Sequence, residues 1–359
     1  PTLLNSLELE GSYSDDCLLR RAVDWAGPPN IHSHHVFLSY LFPKAFLNLS
    51  KKGFDKQEDK FPEFKRALLS KDGDMYGFPF DAGPTGVFYR TDYFEKAGVD
   101  PNSIKTWDDY IAAGKKIKEK VGVDLLGLDF NNDDGLFRMT LTQQGTFYFN
   151  DKGKLNLTSK EAKKAMELNK KLKEAGIVKN TVGWDASISA LAEGKVASSP
   201  SGAWLSGSIT QQAPDLKGKW GVFLLPSFEE GGNRASNLGG SNYVISATSQ
   251  KADEAYKFME YFSTTDKVQE EAMKGGLFPS LNTVYSSKLF TAQDEYFNNQ
   301  TIWKTFADEM KDIKPVNFTG NYSVANSEAV KAVSEVTNGK GVKDSLEAAQ
   351  KRLENRIQK

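Results

Sequence analysis

After residue 35 the chain contains no histidine and no cysteine: His32, His34 and His35 are its three histidines and Cys17 its one cysteine. A Ser-His or Cys-His nucleophile needs an imidazole within hydrogen-bond reach of the attacking atom, so such chemistry is confined to that opening stretch. One cysteine supports neither an internal disulfide nor a cysteine-based zinc site. The His32-x-His34-His35 cluster could bind metal, but beside GPPN it reads better as an exposed loop or an expression scar. No G-x-x-x-x-G-K-[ST] or G-x-G-x-x-G phosphate cradle is present. The remaining acid/base candidates are Asp129, Asp133 and Asp134 in GLDFNNDDG, which could serve a glycosidase. Their spacing singles out no pair. With Asn131 and Asn132 beside them, a solvated turn or a set of hydroxyl-binding groups is the better expectation.

Aromatic residues suggest different chemistry. The stretch WDASISALAEGKVASSPSGAW begins at Trp184 and ends at Trp204, directly after a Ser/Pro/Gly run. A sugar ring presents C–H groups on its faces and hydroxyls round its rim. An aromatic face attracts the C–H groups and excludes water, while the rim needs paired donors and acceptors. Each buried hydroxyl left unpaired costs about 1–3 kcal/mol. Such a site is built from flat aromatics, amides, a carboxylate or two and close backbone, with little net charge. Trp204 is the first candidate platform because Gly202 and its neighbours suggest a loop; a core Trp behind a turn is the alternative. Trp184 is either a second platform or packing at a helix start. Trp107, Trp220 and Trp303 are expected to be structural, and Trp25 lies in the atypical opening segment. Asp81 is the candidate hydroxyl acceptor, with a turn-capping role as alternative, and Gly239-Gly240 would let backbone approach a ligand.

These groups must be held by a scaffold, and 359 residues are enough for two lobes with separate cores. The 46 Lys+Arg against 47 Asp+Glu give a net charge of -1, without the basic stripe nucleic-acid binding requires. No apolar run approaches the roughly 20 residues of a membrane span. The opening PTLLNSLELE has neither the basic nor the apolar region of a signal peptide. Strands are expected at 76–80, 87–89 and 123–130, and in WGVFLLP and GSNYVIS. Thr106 with Asp109 predicts a capping box opening a helix that carries Trp107, Ile111, Gly114 and Ile117 on one face. Thr158 with Glu161 predicts a second helix start, with Ala162, Ala165, Met166 and Leu172 facing inward. Ala255, Phe258, Met259 and Phe262 form a third stripe, and helix is expected from about Ser327 to Gln358. Alternating strands and helices indicate an α/β protein with mostly parallel sheets flanked by helices.

Four stretches carry a resemblance. YGFPFDAGPTGVFYRTDYFEKAGVDPNSIKTWDDY, ALAEGKVASSPSGAW, NLGGSNYVIS with KADEAYKFMEYFSTTDKVQ, and GGLFPSLNTVY are similar, in order and spacing, to the extracellular solute-binding proteins of bacterial ABC sugar importers, the maltose-binding-protein-like group. The similarity covers roughly residues 50–359. Two departures stand out: the first 48 or so residues lack the family's opening pattern, and Leu281 follows Pro279-Ser280 where many relatives carry arginine. The resemblance implies a two-lobe periplasmic-binding-protein-like fold with hinge crossovers near 85–89, 240–242 and 312–318. Residues 1–86 and 242–312 would form the N-terminal lobe, and 87–241 and 313–359 the C-terminal lobe. It implies a non-enzymatic, monomeric receptor that binds a neutral sugar or oligosaccharide in the interlobe cleft without a cofactor. The ligand would be delivered to the permease subunits of an ABC importer. It also implies an extracytoplasmic place, periplasmic or as a surface lipoprotein whose leader is missing here. By the same resemblance Trp204 stands where the family stacks a sugar, Asn131 and Phe137 follow a second-lobe strand, and Phe278 and Tyr322 lie in contact loops. Two alternatives stay open: a carbohydrate-active enzyme using Asp129, Asp133 and Asp134, or a polyamine-type cation receptor.

Overall fold

A computed structural model describes residues 31–34 and 43–357. Cys17, Trp25 and His35 lie outside the described residues, and His32 and His34 enter only as backbone of the first strand. The strands begin with β1 (Ile31–His34), β2 (Ser70–Lys71), β3 (Asp74–Met75), β4 (Phe78–Pro79), β5 (Asp81–Ala82) and β6 (Thr85–Arg90). They continue with β7 (Leu126–Leu128), β8 (Val178–Asn180), β9 (Ser198–Gly202), β10 (Trp220–Leu224), β11 (Asn242–Ile245) and β12 (Phe278–Pro279). The helices begin with α1 (Glu63–Leu69), α2 (Thr91–Ala97), α3 (Trp107–Val121), α4 (Gly135–Gln143), α5 (Lys160–Glu174) and α6 (Gly183–Ala192). They go on through α7 (Leu205–Gln212), α8 (Ala252–Thr264), α9 (Asp266–Met273) and α10 (Lys288–Thr291) to α11 (Ile302–Glu309), α12 (Tyr322–Thr337) and α13 (Val342–Ile357).

Local signals place several of these elements. The Thr106 side chain accepts from the Asp109 N–H while the Asp109 carboxylate accepts from the Thr106 N–H, so α3 opens with both halves of its capping box. Its buried face holds Trp107, Tyr110, Ile111, Gly114 and Ile117. The start of α5 lies one residue later than expected. Ser159, not Thr158, accepts the Ala162 N–H, while the Thr158 hydroxyl donates to Gln350 on α13. The C-terminal helical stretch is two helices, interrupted where Gly339 takes φ +102°. In α8 the expected stripe shifts: Ala255, Tyr256 and Met259 are buried, whereas Phe258 is 56% exposed. At about 100° per residue, position 258 falls on the flank of a face centred between 255 and 259.

The central element is β6, paired antiparallel with β10 (Trp220↔Arg90 to Leu224↔Gly86) and with β9 (Thr85↔Gly202 to Tyr89↔Ser198). All six of its residues are buried, because side chains of alternate residues enter different cores. Phe88 joins the cluster containing Trp220, Val222, Phe278 and Phe306. Val87 and Tyr89 join the one containing Trp107, Tyr110, Leu126 and Phe223. A third cluster of Phe137, Phe147, Tyr148, Met166, Val333 and Leu346 is tied to the second by Leu128, Val178 and Phe228, which pack against both. Two bodies result: the first cluster with the β1–β11–β4 sheet, and the second and third clusters with β7 and β8. The expectation of mostly parallel pairing needs correcting. Among the described strands β7–β8 is the parallel pair, and the other pairings are antiparallel. Alternating helices and strands imply parallel neighbours only when each strand follows its helix into the adjacent position. Here the chain leaves β6, builds much of the second body, and re-enters beside β6 running the opposite way.

Candidate functional site

β6, residues 235–243 and residues 310–318 each contribute side chains to more than one of the three clusters, and a cleft of about 270 Å³ opens beside the last two segments. α1 supplies Phe64 and Leu68 on one side; Arg138 and Thr142 of α4, with Phe147, stand opposite. Asn237, Leu238, Gly239 and Gly240 form the floor, and Lys314, Val316, Phe318 and Tyr322 complete the wall. Phe318 packs against both the first and the third cluster, which places it at the seam.

Rings dominate the wall. Phe147 and Phe318 lie 4.5 Å apart at 38°, Phe147 and Tyr322 are 6.1 Å apart and nearly parallel at 5°, and Phe318 and Tyr322 are 5.5 Å apart. Offset and tilted pairs of this kind add about 0.5–1.5 kcal/mol each beyond area burial, so the wall is stiff. Behind it runs a charged network. Arg138 Nε lies 2.7 Å from Asp134 Oδ1, its Nη1 donates to the Tyr322 hydroxyl at 3.2 Å, and its Nη2 donates to Asp133 at 3.3 Å. The Tyr148 hydroxyl donates to Asp134 Oδ2, and Asn326 Nδ2 donates to Asp134 Oδ1 at 2.9 Å. Burial pushes the Asp134 carboxyl up from its ordinary value, and the Arg138 guanidinium pulls against that rise. The guanidinium is thus neutralised from behind, leaving Lys314 as the cleft-lining charge without an ion pair among the described residues.

Of the nine residues singled out from sequence, Gly239, Gly240 and Tyr322 line the cleft. Trp204 stands one layer back. Its Nε1–H donates to the Leu238 carbonyl at 2.8 Å, and its indole lies against Gly239, where a Cβ would come within 3.2 Å of Nε1. Trp184 is 49% exposed, with its ring 5.4 Å from that of Trp204 at 50°. Asp81 does not reach the cleft; its Oδ1 accepts the Ser241 N–H at 2.5 Å. Asn131 is turned away, its Oδ1 accepting from Ser334 and Asn338 on the far end of α12. Phe137 and Phe278 are fully buried, the first beside Tyr148 and the second among Tyr285, Phe290, Trp303 and Phe306. Each follows a strand or turn, but an apolar ring with a complete set of core partners has no surface left for a ligand. Trp107 and Trp220 are buried as expected, Trp107 donating to Gln143 Oε1, and Trp303 stacks on Phe278. Phe64, Phe147, Phe318, Arg138 and Lys314 were not singled out. The one usable signal was the i,i+4 spacing of Asp134 and Arg138, which marks an ion pair but not a cleft.

The three carboxylates considered for acid/base work are otherwise engaged. Asp129 accepts from the Asn131, Asn132 and Gly183 backbone N–H groups, Asp133 faces Arg138, and Asp134 is sealed behind it. A turn and an ion-pair network are their roles in the structure. Among the described residues the cleft lining also holds no Asp or Glu, which runs against a receptor for a small cation. Among the described residues no His/Cys/Asp/Glu group suits a metal ion, and no helix is long and apolar enough to cross a membrane.

Gly240 sets the floor, with φ +95° and a Cβ position only 2.8 Å from the Asp81 carbonyl oxygen and 3.1 Å from Ala82 Cα. Gly240→Ala is expected to lose at least about 2 kcal/mol of stability, combining left-handed strain with a backbone clash. Thermal denaturation checks this; a Tm equal to the parent's would mean that the floor yields freely.

Comparison with known proteins gives a consistent result. Residues 32–298 match the family model described as bacterial extracellular solute-binding protein. A lactose-binding protein of Rhizobium radiobacter is 37% identical over 284 residues, 77% of this chain and 66% of that protein, so the match spans about two thirds of the relative's length. An arabinooligosaccharide-binding protein of Bacillus subtilis is 30% identical over 306 residues, 83% of this chain and 69% of that one. Among solved structures, the ABC transporter associated binding protein of B. animalis subsp. lactis, in complex with β-1,6-galactobiose, superposes with a TM-score of 0.76 at 28% identity. That superposition covers 94% of this chain and 87% of that one.

Proposed function

The chain belongs to the bacterial extracellular solute-binding proteins, and from that premise we propose that it binds a neutral sugar or oligosaccharide in the cleft and delivers it to an ABC importer. The observation that carries this reading is the composition of the cleft. Stacked rings form one wall, glycine backbone the floor, Thr142 and Asn237 offer polar groups, and the partly buried arginine is neutralised by carboxylates outside the lining. Rings and amides suit a ligand with apolar faces and a hydroxyl rim. A compensated charge suits a neutral one. The volume, about 270 Å³, is close to the lower end of the roughly 300–1,000 Å³ usual for small-molecule sites and favours a short glycan.

The family and the named relatives are binding proteins, and this chain acts as a receptor rather than an enzyme. Its place is extracytoplasmic, as for its family. We further propose a monomer, free or lipid-anchored, that makes no use of nucleic acid; the near-balanced charge supports the last point. For closure we propose lobes of residues 1–86 with 242–312 and 87–241 with 313–359, with α6 and α7 as a shared wedge because Ile188, Leu191, Leu205 and Ile209 pack into the first cluster. Ligand would favour the closed state through its greater affinity for it, with strand-end and loop residues at the crossovers absorbing the change.

Thermal-shift screening against lactose, arabino-oligosaccharides, β-1,6-galactobiose and a wider glycan panel tests the reading. A ligand at a hundredfold excess over its Kd stabilises by about 2.7 kcal/mol, a shift of several degrees. Silence across the panel would reject the proposal, and release of monosaccharide from any member would return the enzyme reading.

A further inference from the structure

Lys65 is 1% exposed, an unusual state for a lysine, and it lies on α1 directly after Phe64 and three residues before Leu68, the two side chains α1 gives to the cleft. Among the described residues its ammonium has no ion-pair partner within 4 Å. It donates instead to two backbone carbonyls from different segments, Asp81 at 2.8 Å and Ser241 at 3.2 Å. The same two residues are joined a second time, by the Ser241 N–H to Asp81 Oδ1. One segment beyond, the Leu238 N–H donates to the Gly83 carbonyl at 2.8 Å, so residues 238–241 are fastened at both ends. Between the fastenings lie Gly239 and Gly240, which carry no side chain with which to hold themselves in place.

We infer that Lys65 is a positioning residue for ligand binding, a buried cation that clamps the β5 carbonyl and the Ser241 carbonyl so that the Gly239-Gly240 floor keeps a fixed height against the α1 wall. The inference rests on the cleft being the binding site. A charged donor suits this task because hydrogen bonds from an ion to neutral carbonyls are roughly twice as strong as neutral ones, and the low-dielectric surroundings do not screen them. Burial is also why the cation is poised: it lowers the Lys65 ammonium to about 8, while the Asp81 charge nearby opposes the fall. Asp81 thereby acquires a role different from hydroxyl acceptor. Its carboxylate holds the Ser241 amide and supplies the compensating charge for Lys65.

The test is Lys65→Met, which keeps the length and volume of the stem and removes the donor. Amide hydrogen exchange in the unliganded protein reads the clamp, and calorimetry with lactose and with β-1,6-galactobiose reads its consequence. The expected result is exchange at least tenfold faster at Leu238 and Ser241, unchanged exchange in α12 and α13, and at least tenfold weaker binding of whichever sugar the parent protein takes. Unchanged exchange at Ser241 overturns the clamp whatever the calorimetry shows. Faster exchange with undiminished affinity overturns the positioning role and leaves a purely structural one. If the parent protein binds neither sugar, the choice of glycan has failed, and the exchange measurement still decides the clamp. Should Lys65→Met not fold, exchange in the parent protein decides: the Ser241 amide is expected to be protected at least a hundredfold, and free exchange there sinks the inference.

Discussion

Arg138→Leu is expected to destabilise the protein by about 3–5 kcal/mol at pH 7, the range found when one partner of a buried ion pair is removed. The side chain of Asp134 is fully buried, and without the guanidinium its Oδ1 would keep only the Asn326 amide. Tyr322 would also lose the donor to its hydroxyl and with it part of its hold on the aromatic wall. The sign of the pH dependence follows from burial. Asp134 already titrates above its ordinary value in the folded protein, and loss of Arg138 raises it further. The folded variant therefore binds this proton more readily than the unfolded chain does. Its penalty is complete above the raised folded value and shrinks as pH falls toward the unfolded value near 4. Denaturant unfolding of parent and variant at pH 7 and pH 4.5 checks both parts. A difference below about 1 kcal/mol, or one that does not narrow in acid, would show that Arg138 does not offset the burial of the Asp134 carboxyl.

Trp204→Ala is expected to weaken glycan binding by about 2–4 kcal/mol, roughly thirty- to a thousandfold, while the protein still folds. The indole need not touch the sugar for this to hold. It backs Gly239, and its Nε1–H fixes the Leu238 carbonyl at the edge of the floor; its face is also within reach of Trp184, the exposed ring beside it. Trp204→Phe separates the two contributions. That variant keeps a ring against Gly239 and removes the donor, so an intermediate loss is expected if the backbone anchor and the aromatic face both matter. Equal affinity of parent and Trp204→Ala for the same glycan, measured by calorimetry, would remove Trp204 from the site.

The elements of this fold were legible to the extent that local chemistry dictates them. The Thr106–Asp109 box, the inward stripe of α3 and a strand at 87–89 follow from neighbours a few residues away. Asp81, Phe137 and Phe278 show where that logic stops. Asp81 sits after a Gly-x-Pro strand in a place suited to a ligand contact, yet its carboxylate is taken by an amide 160 positions along the chain. Phe137 and Phe278 each carry the right ring at a plausible loop, and both are enclosed by residues from other segments. Conversely, Phe147, Phe318 and Lys65 gave no local sign of their positions, because each is defined by which distant backbone passes beside it.

The amino-acid sequence alone determined the class of protein: two α/β bodies, a balanced surface, and aromatics with amides and glycines in place of nucleophiles. Composition and short-range periodicity set the α/β class, the balanced charge and the kinds of binding group, and the resemblance carried by four stretches in order implied the two bodies. The tertiary structure alone decided which groups face the cleft. β6 and the segments 235–243 and 310–318 reach more than one core, and the meeting of distant segments there brings residues 64, 138, 239 and 318 to one surface while sealing others a few positions away. Surface or core for any one ring depends on what the remaining segments lay against it, and no local pattern encodes that.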